Sequence, residues 1–258
     1  METLIWKLTL VPVLIAVVTL VGRRFGQSIA GWLGSFPIVV GPVLWILALE
    51  QGGVFLSQAA LAALAGILPA MVFFVVYAQL ALRLHWVGAL MGGLTAWLVS
   101  VVILASWQQR LPIGWGVALA IALVGLWAAP RLMPRVAPLV RGSAHRFELP
   151  ARMIAGVMVT LIASEVGERG GAILSGYASL FPSVGIIVAS FNHAQLGAGA
   201  AVHFLHGMTY GMWSVASFCL ALTLVGAQSV PAAFGLAIAL AIATHAVNRW
   251  RQRRAVAG

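Results

Sequence analysis

The residues best suited to chemistry are polar and ionisable side chains inside long apolar runs. One apolar run contains five polar residues spaced three or four positions apart, which places them on one face of a helix. They are His203, His206, Tyr210, Ser214 and Ser217. Asn192 and His193 lie at the end of the preceding apolar run. Because histidine has an ordinary pKa of about 6.5, such a face suits proton transfer or the binding of a polar substrate.

The same histidines have two other interpretations. His203 and His206 could ligate a metal, but the chain has no Asp and no nearby Cys to complete the set. The second interpretation is that these histidines form ordinary hydrogen bonds between helices. The sequence therefore predicts no metal and no cofactor, and it leaves open a substrate or proton path and simple interhelical bonding.

Two Phe–Pro dipeptides, Phe36–Pro37 and Phe181–Pro182, lie within apolar runs. Proline removes an intrahelical hydrogen bond, so we expect a kinked helix at each position. Interrupted helices at matching positions of two halves point to a substrate site near the middle of a membrane. These four residues are therefore the first candidates for a substrate path.

The carbonyls four residues before the prolines belong to Leu33 and Ala178. We expect them to lose their helical partners and to face protein, water or a ligand, because lipid cannot satisfy them. The alternative is a packing kink in which Ser35 and Ser179 fill the gap.

Carboxylates are scarce, since only five acidic residues occur in the chain. Glu50, Glu165 and Glu168 lie near predicted helix ends. They are candidates for a gate or a proton acceptor, and the alternative is that they are simply solvated helix ends. No phosphate loop, Ser–His–Asp set or catalytic carboxylate pair is recognisable. The sequence thus predicts no enzyme, with an intramembrane hydrolase that uses His and Glu as a remote alternative.

The composition identifies the solvent of this chain as lipid. Of 258 residues, 62% are hydrophobic and 8% are charged, too few charges to cover a water-facing surface. We predict an all-α integral membrane protein. Its nine predicted spans are 3–22, 27–49, 54–82, 86–106, 112–129, 150–167, 172–193, 198–226 and 230–248.

The basic residues predict the orientation. With nine crossings, twelve of the fifteen Lys and Arg residues lie on one side, and Lys7, Arg110 and Arg169 lie on the other. The richer side should be cytoplasmic, which puts the amino terminus outside and the carboxyl terminus inside. The net charge of +10 then indicates no nucleic acid, but contact of the loop 130–152 and the basic tail with anionic lipid headgroups.

A repeat divides the chain. Residues 24–52 align without gaps on residues 169–197. We predict a four-helix repeat in 1–106, a connecting helix and basic loop in 107–149, and a second four-helix repeat in 150–258. Because one helix separates the repeats, they should be inverted relative to each other.

The repeat unit resembles the GlpM family of small bacterial inner-membrane proteins. The matching stretches are IAGWLGSFP, Ile29 to Pro37, and LSGYASLFP, Leu174 to Pro182. Further along the chain, LEQG, Leu49 to Gly52, follows the first stretch and AQLG, Ala194 to Gly197, follows the second. This resemblance implies the bacterial inner membrane and an association with envelope biogenesis, including exopolysaccharide production, but no molecular activity or site residue.

Inverted repeats are common in secondary transporters. We therefore predict a secondary transporter or flippase-like permease for a small or lipid-linked solute. The alternative is a non-transporting scaffold or accessory protein in envelope or exopolysaccharide biogenesis.

Overall fold

Helices form all the regular secondary structure of the described residues. The computed structural model describes residues 2–37, 39–137, 149–158 and 171–257. Within these ranges, side chains are described only for residues 12 to 250. Helices α1 to α10 are, in order, Glu2–Phe25, Gln27–Gly34, Val40–Ala81, Trp86–Arg110, Trp115–Leu132, Leu149–Met158, Gly171–Ser179, Ser183–Leu196, Ala198–Val225 and Val230–Ala257.

Six segments of the described chain are long and apolar enough to cross a membrane. They are Val40–Ala81, Trp86–Arg110, Trp115–Leu132, Gly171–Leu196, Ala198–Val225 and Val230–Trp250. This is the make-up of a multi-pass membrane protein, as the composition predicts. The segment predicted at 112–129 forms the helix α5, and residues 159–167 of the sixth predicted span lie outside the described residues.

Three of these segments form the centre and three form the periphery. Their most apolar windows are 78% buried in α3, 72% in α7–α8 and 61% in α9, against 22–28% in α4, α5 and α10. The peripheral helices expose large apolar side chains, such as Val102 and Ile103 of α4. An apolar exterior of this kind is stable in lipid and not in water.

The second and seventh predicted spans, 27–49 and 172–193, are each two helices and not one helix kinked at its proline. The chain leaves helical geometry after Gly34 and re-enters it at Val40, so α2 is a short helix and α3 begins beyond Pro37. Helix α3 then continues to Ala81 through a sharp bend at Gly52, where φ is 84°. Glycine has no Cβ and therefore adopts a positive φ without a steric clash, which allows the chain to turn at this residue.

The packing of the helices is reciprocal. Helix α2 packs on α9, and α7 packs on α3. In the same way α4 packs on α3 and α10 packs on α9, while α5 contacts both central helices. Small residues such as Ala59 and Ala63 of α3 and Ala201 of α9 are fully buried. Small side chains let helix backbones approach closely, which is how helices associate without a hydrophobic drive from water.

Two pairs of backbone features recur at corresponding positions of the sequence repeat. In the described residues, φ is positive at Gly26 and Gly171, and again at Gly52 and Gly197. The helix ends at Gly34 and Ser179 correspond in the same alignment. The backbone therefore changes direction at equivalent points in the two sequence-similar stretches.

Candidate substrate site at the two Phe–Pro breaks

Each Phe–Pro dipeptide lies in a true break between two helices. Helix α2 ends at Gly34 and α3 begins at Val40, and α7 ends at Ser179 and α8 begins at Ser183. Each proline carbonyl accepts the first hydrogen bond of the following helix, from Gly41 N at 2.9 Å and from Ile186 N at 2.8 Å. The prolines therefore start new helices, a position where a missing N–H costs nothing.

The prediction of unsatisfied carbonyls at Leu33 and Ala178 is wrong. The Leu33 carbonyl accepts the Phe36 N–H at 3.1 Å, and the Ala178 carbonyl accepts the Phe181 N–H at 3.0 Å. A tight last turn thus satisfies both groups locally. The serines near the breaks bond elsewhere, since Ser35 Oγ donates to the Trp32 carbonyl at 2.8 Å.

Both breaks line one cavity at the centre of the molecule. Its volume is about 60 Å³, enough for a few water molecules. The residues 34–37 and 179–185 supply most of the wall, and Met208 and Met212 of α9 complete one side. The structure thus brings together Phe36, Pro37, Phe181 and Pro182, which are far apart in sequence and occupy equivalent positions of the repeat.

Glycines hold the broken helices tightly on the central helices. A methyl group on Gly31 would overlap the carbonyl oxygen of Phe204, and one on Gly176 would overlap that of Ala59. These two contacts exchange partners, because Gly31 corresponds to Gly176 in the repeat alignment and Ala59 corresponds to Phe204. Each broken helix therefore packs on the long helix of the other half of the chain at the same place.

Aromatic rings support the break phenylalanines from outside the cavity. The Phe36 ring meets the imidazole of His245 on α10 edge-on, with ring centroids 5.2 Å apart. The Phe181 ring meets the indole of Trp97 on α4 edge-on at 5.0 Å. Each break is thus backed by the last helix of the other half, and edge-to-face pairs of this kind fix ring orientation.

Asn192, a predicted path residue, is fully buried in a polar network away from the cavity. Its side-chain oxygen accepts a hydrogen bond from Arg152 Nη2 at 3.0 Å, and its amide donates to Gln27 Oε1 at 2.8 Å. Arg152 Nη1 also donates to Thr19 Oγ1 at 3.4 Å. This network joins the ends of α1, α2, α6 and α8.

The predicted histidines make separate contacts. His193 Nδ1 lies 3.4 Å from the hydroxyl of Tyr77, and His203 Nε2 lies 3.1 Å from the carbonyl of Ala137 in the segment after α5. His206 contacts the Tyr210 ring edge-on, with centroids 5.1 Å apart. None of these residues lines the cavity at the breaks. Within the described residues, no three His, Cys, Asp or Glu side chains are grouped as metal ligands.

The candidate gate carboxylates either do not line this cavity or lie outside the described chain. Glu50 is exposed near the bend at Gly52 and does not line the cavity. Glu165 and Glu168 lie outside the described residues.

Arg152 is a residue that sequence reasoning misplaces. The charge pattern puts it among the basic residues on the loop side of the membrane, but the structure leaves only 1% of it exposed. Its guanidinium lies over the ring of Phe191 at 5.4 Å, in addition to the network with Asn192 and Thr19. The signal in the sequence is weak, because Arg152 begins an apolar stretch and looks like an interfacial charge.

His245 is the functional candidate that sequence reasoning misses. It is 7% exposed, and its ring stacks on the Trp32 indole with centroids 3.9 Å apart and planes tilted by 20°. Its Nδ1 lies 3.2 Å from Ser214 Oγ. The available signal is an ionisable side chain inside the predicted span 230–248, which by itself justifies a functional hypothesis.

The comparisons with known proteins give no guide to this site. No protein-family model, no curated protein and no solved structure matches the chain. What the geometry offers is a small central cavity between two helix breaks, with polar groups set behind its walls. Such an arrangement suits passage or binding of a solute.

Proposed function

We propose that this chain is a secondary transporter or flippase-like permease, built from two inverted four-helix repeats that cross at the Phe–Pro breaks. The observation that carries the proposal is the shared cavity lined by Phe36, Pro37, Phe181 and Pro182. Broken helices at equivalent points of two inverted halves are a recurrent way to build a solute site in transporters.

The inverted repeat is supported by reciprocal contacts. Gly31 packs on Phe204 as Gly176 packs on Ala59, and the paired glycine turns recur at equivalent positions. When a position in the first half contacts a position in the second, and the equivalent positions contact each other with the halves exchanged, the two halves are related by a two-fold axis. Helix α5, the single helix between the halves, gives them opposite directions across the membrane.

Reciprocal packing also gives a route to alternating exposure. Each broken helix rests on the long helix of the other half, so a rotation of one half shifts both breaks together. The turns at Gly52 and Gly197 are points where such a rotation can be absorbed, because these residues already have non-helical φ values of 84° and 88°. The cavity would then open first to one side and then to the other.

A second cavity favours a solute that carries a lipid chain. It has a volume of about 300 Å³ and lies between α4 and α7. Its lining includes Leu98 and Val102, which are both 55% exposed and face the lipid side. At its inner wall the Tyr177 hydroxyl donates to Gln108 Oε1 at 3.1 Å. We propose that this apolar groove takes the acyl or prenyl chain of the solute.

The resemblance to the GlpM family and the location belong to the same proposal. The two GlpM-like stretches are the ones that contain the breaks, so the shared motif coincides with the proposed site. The charge distribution supports an inner-membrane protein with its amino terminus outside and its carboxyl terminus in the cytoplasm.

The alternative function, a non-transporting scaffold in envelope or exopolysaccharide biogenesis, has one observation in its favour. The central cavity of about 60 Å³ is smaller than the roughly 300–1,000 Å³ of a typical small-molecule site. A scaffold needs no cavity, whereas a transporter needs one that enlarges in another conformation.

Cysteine accessibility separates the two functions. Val39 and Val184 both line the cavity at equivalent positions of the repeat, so Val39→Cys and Val184→Cys, each in a Cys219→Ser chain, form a matched pair. We expect a membrane-impermeant maleimide to label each cysteine from both faces, in right-side-out and in inside-out vesicles. Ala65→Cys, at a fully buried position of α3 outside the cavity, is the control and should stay unlabelled. Complete protection of both cavity positions from both sides would favour the scaffold.

A further inference from the structure

The stack of His245 on Trp32 leaves two polar atoms without partners. His245 Nε2 and Trp32 Nε1 are buried, and neither has a hydrogen-bond partner in the part of the chain that the structure describes. Buried nitrogens of this kind are costly unless a ligand, a proton or water satisfies them. This pocket, formed by His245, Trp32, Ser214 and Phe36, is called the His245 pocket below.

The hydrogen bonds around Ser214 favour one tautomer of the imidazole. Ser214 Oγ donates its only proton to the Gly211 carbonyl at 2.7 Å, the shorter of its two contacts. In the 3.2 Å contact between Ser214 Oγ and His245 Nδ1, the oxygen is then the acceptor and Nδ1 the donor. A neutral His245 then carries its proton on Nδ1, and Nε2 is a bare lone pair, which is a proton acceptor.

The His245 pocket is in direct contact with the proposed transport site. Phe36 lines the central cavity and, with the edge of its ring, contacts His245 at 5.2 Å between centroids. Trp32, the stacking partner, is in α2 and lies just before the end of that helix at Gly34. A change at the imidazole therefore acts on the last turn of α2 and on the break itself.

The helices that hold His245 offer a proton no acidic partner. No acidic residue occurs in α2, α9 or α10. Helix α3 also contacts α10 and carries Glu50 and Tyr77, but its contact near Glu50, between Gly53 and Val230, is at the start of α10, far along that helix from His245. The titratable or charged side chains described on α2, α9 and α10, besides His245, are His203, His206, Tyr210, Cys219 and Arg249. The Arg249 guanidinium lies 5.2 Å from the Trp32 ring centroid. A positive imidazole would thus add a second cation beside Trp32 in a buried pocket, which disfavours the closed packing.

We propose that His245 Nε2 is the proton-binding site that couples transport to a proton gradient. The proton forms the second N–H bond of the ring, and the imidazolium separates α10 from the last turn of α2, which frees the Phe36 break to move. This inference rests on the proposed transport function and adds its coupling ion. His245 contacts Phe36 and does not itself line the solute cavity.

The test uses Val39→Cys in a Cys219→Ser chain, reconstituted in lipid vesicles. We expect labelling from the face nearer residues 246–250, expressed as a fraction of the labelling of the same cysteine in unfolded protein at the same pH, to rise at least several-fold between pH 8 and pH 4. His245→Asn keeps an amide N–H for Ser214 but cannot titrate, so it should abolish this rise. Because the same cysteine is compared in both backgrounds, the ionisation of the thiol cancels. His206→Asn is the matched control and should retain the rise.

Each outcome decides between the two proposals. Labelling from both faces with an equal pH response in His245→Asn overturns the proton site and leaves transport standing. No labelling from either face at any pH overturns transport and the proton site together.

A second measurement keeps the proposal falsifiable if His245→Asn does not fold. Nuclear magnetic resonance of ¹⁵N-histidine in the unaltered chain, in nanodiscs, should show a ring with its proton on Nδ1 at pH 8 that gains a second proton as the pH is lowered to 4. Its signal should shift in Ser214→Ala. The absence of such a ring overturns the proposal.

Discussion

The α-carbon of Gly31 lies so close to the carbonyl oxygen of Phe204 that no side chain fits between them. Gly176 has the same relation to Ala59. These two contacts join each broken helix to the long helix of the other half, so they connect the two halves to the cavity between the breaks. Substitutions at the two glycines therefore test the packing on which the proposed site depends.

Gly31→Ala and Gly176→Ala should each destabilise the protein by a similar amount. Inserting a methyl group against a backbone carbonyl forces the helices apart, at a cost of about 1–3 kcal/mol. The measurement is thermal unfolding of the purified protein in detergent, read from tryptophan fluorescence. Gly235→Ala is the control, because a methyl group there meets no atom within 4 Å. Equal unfolding temperatures for Gly31→Ala and Gly235→Ala would contradict the close contact.

Residues on the two sides of α5 should be in different compartments. Helix α5 has 18 residues, about 27 Å at 1.5 Å per residue, which nearly matches a hydrocarbon core of about 30 Å. A cysteine at Gly114 should react with an impermeant reagent from one face only, and a cysteine at Ala137 only from the other. Gln51→Cys should label with Gly114→Cys, and Leu84→Cys with Ala137→Cys. Labelling of Gly114→Cys and Ala137→Cys from one common face would remove the inversion of the halves.

Local chemistry explains what the sequence predicts well. The breaks at Pro37 and Pro182 are readable because proline acts on its own helical turn, and the turn at Gly52 is readable because it separates two apolar runs. Long apolar segments report the membrane in the same direct way. The prediction for the Leu33 carbonyl is wrong, since its partner depends on whether the preceding turn tightens, and that depends on the packing around it.

The Asn192 network should behave as one unit in a double-mutant cycle. Asn192→Ala removes a hydrogen bond from a guanidinium and leaves Gln27 without its donor, so we expect a loss of about 1.5–3 kcal/mol. Gln27→Ala should cost less, and the double variant should cost less than the sum. Urea or heat unfolding in detergent measures each value. Gln58→Ala, at an exposed position of α3, is the control. Strict additivity would argue against a shared network.

Tertiary placement explains what the sequence could not provide. The contact of His245 with Ser214 depends on how α10 is rotated against α9, and no spacing within one helix contains that information. Arg152 looks like a loop charge until α1 and α8 close over it. The reverse also holds, since His203 and His206 share a predicted face but make different contacts. Helical periodicity gives the face of a residue and not the partner across from it.

A disulfide between the two breaks should prevent the proposed change between access from one face of the membrane and access from the other. A Cβ on Gly34 would lie 3.4 Å from Val184 Cγ1, so side chains at these two positions are in direct contact, as the two cysteines of a disulfide must be. We expect Gly34→Cys with Val184→Cys, in a Cys219→Ser chain, to cross-link under mild oxidation. A protease site introduced between residues 141 and 146 reports the bond, because the two fragments then stay together until reduction.

Labelling of Val39→Cys in the same protein, quantified at residue 39 by peptide mass spectrometry, reports access to the cavity. Residue 39 should label from one face in the oxidised protein and from both in the reduced protein. The single Gly34→Cys variant should label alike under both conditions. If the cross-linked protein is still labelled from both faces, the cavity can change the face to which it opens without separation of the two breaks.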